Sequence, residues 1–103
     1  SEVLQYRCEG GELWRWVSQS LDGSNPSKAK VVDAVSGCSF SYDPGTSSRS
    51  GLVTLRLTLA QDGETITLLQ QVHVEWPVWQ VQLVNFSAHS PDTALLLLAT
   101  DPL

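Results

Sequence analysis

The chain has 103 residues, of which 42% are apolar, and six Lys and Arg against eleven Asp and Glu give it a net charge of −5. This length is typical of one domain, and the acidic balance argues against a nucleic-acid surface because six scattered cations cannot follow a phosphate backbone. The longest apolar run, residues 94–99, is far shorter than the ~20 residues of a membrane helix, and we identify no signal peptide at the start.

The beginning of the chain predicts a β-hairpin. Residues 3–8 and 13–17 both have strand character, and the Gly-Gly pair between them is typical of a tight turn. Because successive side chains of a strand point to opposite faces, Trp14 and Trp16 share one face of the return strand.

A loop and a third strand are predicted next. Residues 18–29 are rich in Ser, Gly, Asn and Pro, which favours a surface loop. Residues 30–35 are a short apolar segment whose pattern specifies neither strand nor helix. Residues 38–42 alternate between apolar and small polar side chains, and the Asp-Pro-Gly sequence at 43–45 predicts a turn.

The strongest pattern predicts a long hairpin over residues 52–75. Residues 52–59 alternate strictly, as in a half-buried antiparallel strand, and an Asp-Gly turn leads into a second strand over 65–75. The side chains predicted to face inward on the first strand are Val53, Leu55, Leu57 and Leu59. We expect this hairpin to lie at the centre of the fold.

The last quarter of the chain is less regular. Trp76-Pro77 breaks the pairing because proline cannot donate to a β-ladder, and residues 79–86 predict one more strand. Residues 90–92 suit a turn or a helix start, and the apolar run 94–99 suits either a helix or a strand buried on both faces. The predicted class is mainly β, an antiparallel sheet of hairpins with a strand or a short helix at the C-terminus.

The two cysteines of the chain indicate the redox environment in which the protein works. Cys8 and Cys38 lack the close spacing of a zinc site, and we expect a disulfide between them, which implies an oxidising compartment such as the periplasm, the cell surface or the medium. The alternative is two buried free cysteines in a cytosolic domain. A catalytic thiol would need a nearby base, and nothing in the sequence places His73 beside either cysteine.

Three segments carry a family resemblance. They read LQYRCEGGELWRW at 4–16, GCSFSYDPGTSSRSGLVTLRL at 37–57 and ETITLLQQVHVEWP at 64–77. In order and spacing they resemble the globular C-terminal domain of type IV pilin-like minor pilins, in the MshO-like group of the MSHA (mannose-sensitive haemagglutinin) pilus. The resemblance covers residues 3–77. It does not extend to residues 78–103, and the N-terminal apolar helix of pilins has no counterpart in this sequence.

The resemblance implies a structural protein rather than an enzyme. The domain would be the outward-facing ectodomain of a minor pilin or pseudopilin on the cell surface or in the periplasm, working in pilus assembly or adhesion. Its partners would be other pilin subunits, with contact to the membrane only through the missing helix. A disulfide between Cys8 and Cys38 would then join the first hairpin to the strand that enters the central sheet.

The tryptophans suggest a second function, a secreted module that binds carbohydrates or surfaces such as host glycans. Trp14 and Trp16 form an aromatic pair on one strand face, on which a sugar could stack, whereas the alternative is that the pair fills the core or covers a sheet edge. Trp76 and Trp79 flank Pro77 and are expected to fix the strand exit.

The sequence predicts no catalytic, cofactor or metal site. Asp22 and Asp43 lie beside glycine or proline and are expected to act in turns, since neither loop supplies the several acidic residues that calcium needs. His73 alternates with valines and is expected on the solvent face of its strand, and His89 in a loop. Asn85 begins an Asn-Phe-Ser sequon, which matters only in a eukaryotic host.

Overall fold

The computed structural model describes residues 2–20, 22, 24–46, 50–74, 78–85 and 93–100. The described residues form strands without any helix, so none of them belongs to a helix that could cross a membrane. The strands are β1 (Glu2–Glu9), β2 (Glu12–Ser18), β3 (Ser27–Val32), β4 (Val35–Asp43), β5 (Gly51–Gln61), β6 (Glu64–Val74), β7 (Val78–Asn85) and β8 (Ala94–Thr100). The predicted mainly β, antiparallel class is confirmed.

The strands form two antiparallel sheets. The five-stranded sheet has the order β3-β2-β1-β8-β7, and the three-stranded sheet has the order β4-β5-β6. In the larger sheet β1 pairs with the return strand β2 on one side and with β8 on the other. Residues 94–100 are therefore a strand, and the segment that the resemblance leaves out completes the five-stranded sheet.

Both predicted hairpin turns are present. Gly10 and Gly11 connect β1 and β2 with φ angles of 62° and 80°, and Asp62 and Gly63 connect β5 and β6 with φ angles of 54° and 80°. Two consecutive residues at positive φ are the requirement of a type I′ turn, whose twist matches that of the flanking strands. Glycine adopts this conformation without a steric penalty, and Asp adopts it more readily than most other residues, which explains why these dipeptides predict the hairpins correctly.

The core lies between the sheets and is closed by a disulfide. Cys8 of β1 and Cys38 of β4 are bonded, which confirms the predicted pair and joins the two sheets covalently. Leu57 is only 6% exposed and pairs in register with Cys38, so the face predicted to point inward does so. The other buried residues of the core cluster are Leu13, Val35, Phe40, Val53, Ala94 and Leu96.

A side-chain amide makes a second link between the sheets. Asn85 at the end of β7 accepts a hydrogen bond from the Phe40 backbone N–H at 2.8 Å and donates one to the Phe40 carbonyl at 2.7 Å. The amide thus satisfies both backbone groups of Phe40, as a neighbouring strand would. Because β4 is an edge strand of the three-stranded sheet, Asn85 also occupies that edge at this position.

Two expectations from the sequence are wrong. The hairpin of residues 52–75 is not central, because β6 is the outer strand of the smaller sheet and its residues 64–73 are all exposed. The predicted loop 18–29 ends early, since β3 begins at Ser27 and pairs with β2. In both cases the pattern or composition of a segment predicts its local structure. Its position in a sheet depends instead on which strand it pairs with, and that is not visible in the segment itself.

Candidate functional site

An apolar groove lies between the two sheets. Its volume is about 410 Å³, and an adjoining cavity of about 250 Å³ shares Leu13, Val31 and Leu55 with it. Val31 and Val72 line the groove and remain 52% and 56% exposed, so the groove opens to solvent between β3 and β6. We call this feature the inter-sheet groove. Other side chains that line it are Leu4, Tyr6, Val53, Leu96 and Leu98.

Strand β6 forms the outer rim of the inter-sheet groove. In the described part of the chain β6 pairs only with β5, which leaves its outer backbone edge without a strand partner. Its large apolar side chains are exposed on both faces, at 59% for Ile66, 47% for Leu68 and 64% for Leu69. The sequence between Glu64 and Glu75 contains no Asp, Glu, Lys or Arg. A long, exposed and uncharged edge strand is a surface onto which another strand can add.

The other edge strands carry protection that β6 lacks. Strand β3 is short, at six residues, and bears Lys28 and Lys30. Strand β4 has the Asn85 amide on its edge at Phe40. Strand β7 has an irregular register between Val78 and Gln80. Charges, side-chain caps and bulges are the devices by which β-proteins prevent edge-to-edge association, so among the strands that the structure describes β6 stands out as the open edge.

The predicted tryptophan pair lies on the outer face of the five-stranded sheet, away from the inter-sheet groove. The Arg7 guanidinium carbon lies 4.1 Å from the centre of the Trp16 ring, and the Lys28 ammonium lies 4.3 Å from it. These cations come from β1 and β3, the strands on either side of β2. Cation–π contacts at such distances stabilise by about 0.5–1 kcal/mol at exposed sites. The Trp16 ring is therefore already in contact with two cations.

We call the outer sheet face that carries Trp14 and Trp16 the tryptophan face. A hydrogen bond and an ion pair also lie on it. The Trp14 indole N–H donates to Glu12 at 3.1 Å, and Glu12 also forms an ion pair with Lys30 at 3.4 Å. The hydrogen bond and charge of Glu12, with a smaller contribution from Asp33, raise the pKa of the Lys30 ammonium. A cavity of about 330 Å³ lies over this face. Its lining residues are Arg7, Glu9, Glu12, Trp14, Trp16 and Lys28.

The remaining predicted residues do not come together. Asp22 and Asp43 accept backbone hydrogen bonds from Ser24 and Gly45, both at 2.9 Å, and so stabilise turns. The bonds from Ser24 lower the pKa of Asp22. Exposed His73 lies 3.1 Å from the Ser50 hydroxyl. Among the described residues no three His, Cys, Asp or Glu side chains could hold a metal ion.

Some predictions fall outside the described residues. Trp76 and His89 are among them, as is the side chain of Trp79. Conversely, the structure gives roles to residues whose sequence pattern does not indicate them. Lys28 belongs to a segment of loop composition, although it lies beside Trp16 on β3. The open edge of β6 had one visible signal, the absence of charged residues between Glu64 and Glu75, which strand alternation alone does not emphasise.

Comparison of the chain with protein-family models, with curated proteins and with solved structures found no match in any of the three.

Proposed function

We propose that this protein is a non-catalytic interaction subunit of a cell-surface assembly, of the minor-pilin kind that the sequence resembles. The observation that carries the proposal is the exposed, uncharged β6 strand along the open inter-sheet groove. Such an edge offers backbone hydrogen bonds, and the adjoining groove offers apolar pockets for alternate side chains, which together are the elements of strand addition.

The disulfide supports a location outside the cytosol. Cysteines in a reducing compartment remain thiols, whereas a structural disulfide is typical of the periplasm, the cell surface and secreted proteins. The bond between Cys8 and Cys38 also holds the two sheets together on the side away from β6. The groove is thus closed on one side and accessible on the other, as a docking surface requires.

The test is a deletion of the gene in its host, complemented with variants. We expect the deletion to reduce surface filaments and wild-type protein to restore them. Leu69→Lys places a charge on the open edge, at a side chain that is 64% exposed, so we expect a folded protein that fails to restore them. Gln82→Lys is the matched control, because it adds the same charge at an exposed position of β7 and is expected to complement. Normal filaments in the deletion strain would refute the proposal.

The tryptophan face supports a second candidate function, binding of an acidic saccharide. A neutral sugar stacks on an open indole face, whereas the Trp16 ring is in contact with Arg7 and Lys28. Those two cations carry N–H donors that suit a carboxylate or a sulfate group on a sugar. The cavity over the face contains them together with Trp14.

A glycan array tests this second candidate. We expect any binding to be confined to sulfated or uronic-acid glycans and to fall at least tenfold in Trp16→Ala and in Lys28→Gln. Leu69→Lys should bind like wild type, since Leu69 lies on β6 in the other sheet. Binding of neutral glycans alone, or no binding by the wild-type protein, would remove the tryptophan face as a ligand site.

A further inference from the structure

The order of polar and apolar side chains along β6 is nearly the same whether the strand is read from its first residue or from its last. When a second β6 is placed antiparallel with Leu69 opposite its own copy, Ile66 comes opposite Val72, which pairs two β-branched apolar side chains. No position in this register opposes two charges of like sign. The remaining pairs are Leu68 with Gln70, Thr67 with Gln71, Thr65 with His73 and Glu64 with Val74.

This register also keeps the two faces of the sheet distinct. Every pair joins two even-numbered or two odd-numbered residues, so side chains that share a face in one copy share it with their opposites in the other. Leu68 and Val72, which line the cavities between the sheets, would lie on the same side as their counterparts. The two inter-sheet grooves would then open toward one another across the symmetry axis.

The distribution of charge favours contact between two copies of the chain at the β6 edge rather than elsewhere on the surface. The chain carries −5, so two molecules repel each other at most orientations, although screening limits this to about 8 Å at physiological salt. The edge between Glu64 and Glu75 is uncharged, which makes it a place where two acidic chains can meet. Its length is sufficient as well. A specific interface needs about 1,000 Å² in total, and β6 brings eleven residues to the edge, of which 64–73 are all exposed.

We propose that two copies of this chain pair through β6, antiparallel about a two-fold axis at Leu69, and join their three-stranded sheets into one six-stranded sheet. The inference rests on the proposed interaction role and names a second copy as the partner. It explains why β6 lacks the charges and caps that protect the other edges.

Sedimentation velocity of the purified protein is the first test. We expect wild type and Gln82→Lys to be dimers and Leu69→Lys to be a monomer, because two lysines would face each other across the axis. Circular dichroism should show that the Leu69→Lys fold is intact. A wild-type monomer at the highest soluble concentration, or a dimer that survives Leu69→Lys, would overturn the proposal.

Engineered cysteines test the register. Opposite Cα atoms of an antiparallel pair lie about 4.5–5.5 Å apart, which falls within the range of about 4.4–6.8 Å that a disulfide spans. We expect Leu69→Cys to form a covalent dimer on oxidation and Ile66→Cys alone to form none. The double variant Ile66→Cys/Val72→Cys should crosslink again. Mass spectrometry should confirm that the bond between Cys8 and Cys38 is retained. Crosslinking of Ile66→Cys but not of Leu69→Cys would contradict this register.

The two proposals fail in different ways. A monomeric wild type whose Leu69→Lys variant still loses surface filaments would overturn pairing between copies and leave a different protein as the partner of β6. A dimeric wild type that Leu69→Lys converts to a monomer, together with normal filaments in the deletion strain, would support pairing between copies and overturn the minor-pilin role.

Discussion

Loss of the disulfide between Cys8 and Cys38 is expected to lower the free energy of unfolding by about 3–4 kcal/mol on the chain-entropy estimate. The crosslink spans 30 residues, so it restricts the conformations that the unfolded chain can adopt. Both cysteines are also buried, at 1% and 7% exposure, within the core cluster between the sheets. For a domain of this size such a loss is a large fraction of the total stability.

Urea denaturation separates the crosslink from the packing of the sulfur atoms. The wild-type protein should unfold at lower urea when reductant is added, and Cys8→Ala/Cys38→Ala should unfold at low urea with or without it. The double variant also loses sulfur atoms from the core, so reduction of the wild type gives the cleaner measure of the crosslink. An identical urea midpoint for the wild type in both conditions would show that the bond contributes no stability.

The position of the disulfide makes this effect relevant to function. On the side of the molecule away from β6 the sheets are also joined by the Asn85 amide on Phe40 and by a 2.9 Å hydrogen bond from the Val35 N–H to the Gly11 carbonyl. On the side of β3 and β6 they are separated by the inter-sheet groove. The crosslink therefore holds the closed side, and we expect its removal to disturb the groove as well as the fold.

Local sequence was sufficient for some elements because their cause is local. The Gly10-Gly11 and Asp62-Gly63 turns require positive φ at adjacent positions, a property of those residues themselves. The alternation over β5 correctly indicates that Leu57 points inward, since side-chain direction follows from the period of a strand.

Other elements could not be predicted because their cause is not local. The leucine-rich run that becomes β8 has no alternation, and it is a strand because β1 and β7 supply hydrogen-bonding partners on both sides. Strand β3 begins within a segment of loop composition and exists through its pairing with β2. The division of the strands into two sheets could not be predicted for the same reason, since the pattern of a strand does not indicate which strand it pairs with.

The features of the candidate sites could likewise be predicted from local sequence only in part. Strand period places Trp14 and Trp16 on a common face, but the cations over Trp16 come from β1 and β3, whose positions depend on pairing. The uncharged stretch of β6 is readable in the sequence, whereas its exposure at a sheet edge is not. Asn85 is the clearest example of a contact that local sequence cannot predict, because its hydrogen bonds to Phe40 join residues 45 positions apart in the chain.

Truncation of the core is the second large effect. Leu57→Ala is expected to lower the free energy of unfolding by about 2–5 kcal/mol, through lost apolar contacts and the cavity that remains. Leu57 is 6% exposed and lies in the core cluster with Cys38 and Val53. The disulfide restricts how far the sheets can move together to fill the space, which favours the upper part of that range.

Leu69→Ala is the matched control, since it removes the same atoms from the adjacent strand of the same sheet at a side chain that is 64% exposed. At a dilution where both variants are monomers, we expect Leu69→Ala to change the free energy of unfolding by less than about 0.5 kcal/mol. Urea titrations of the two variants give the comparison directly. Equal losses would mean that β6 is as buried as β5, which would contradict the exposed edge on which both proposals depend.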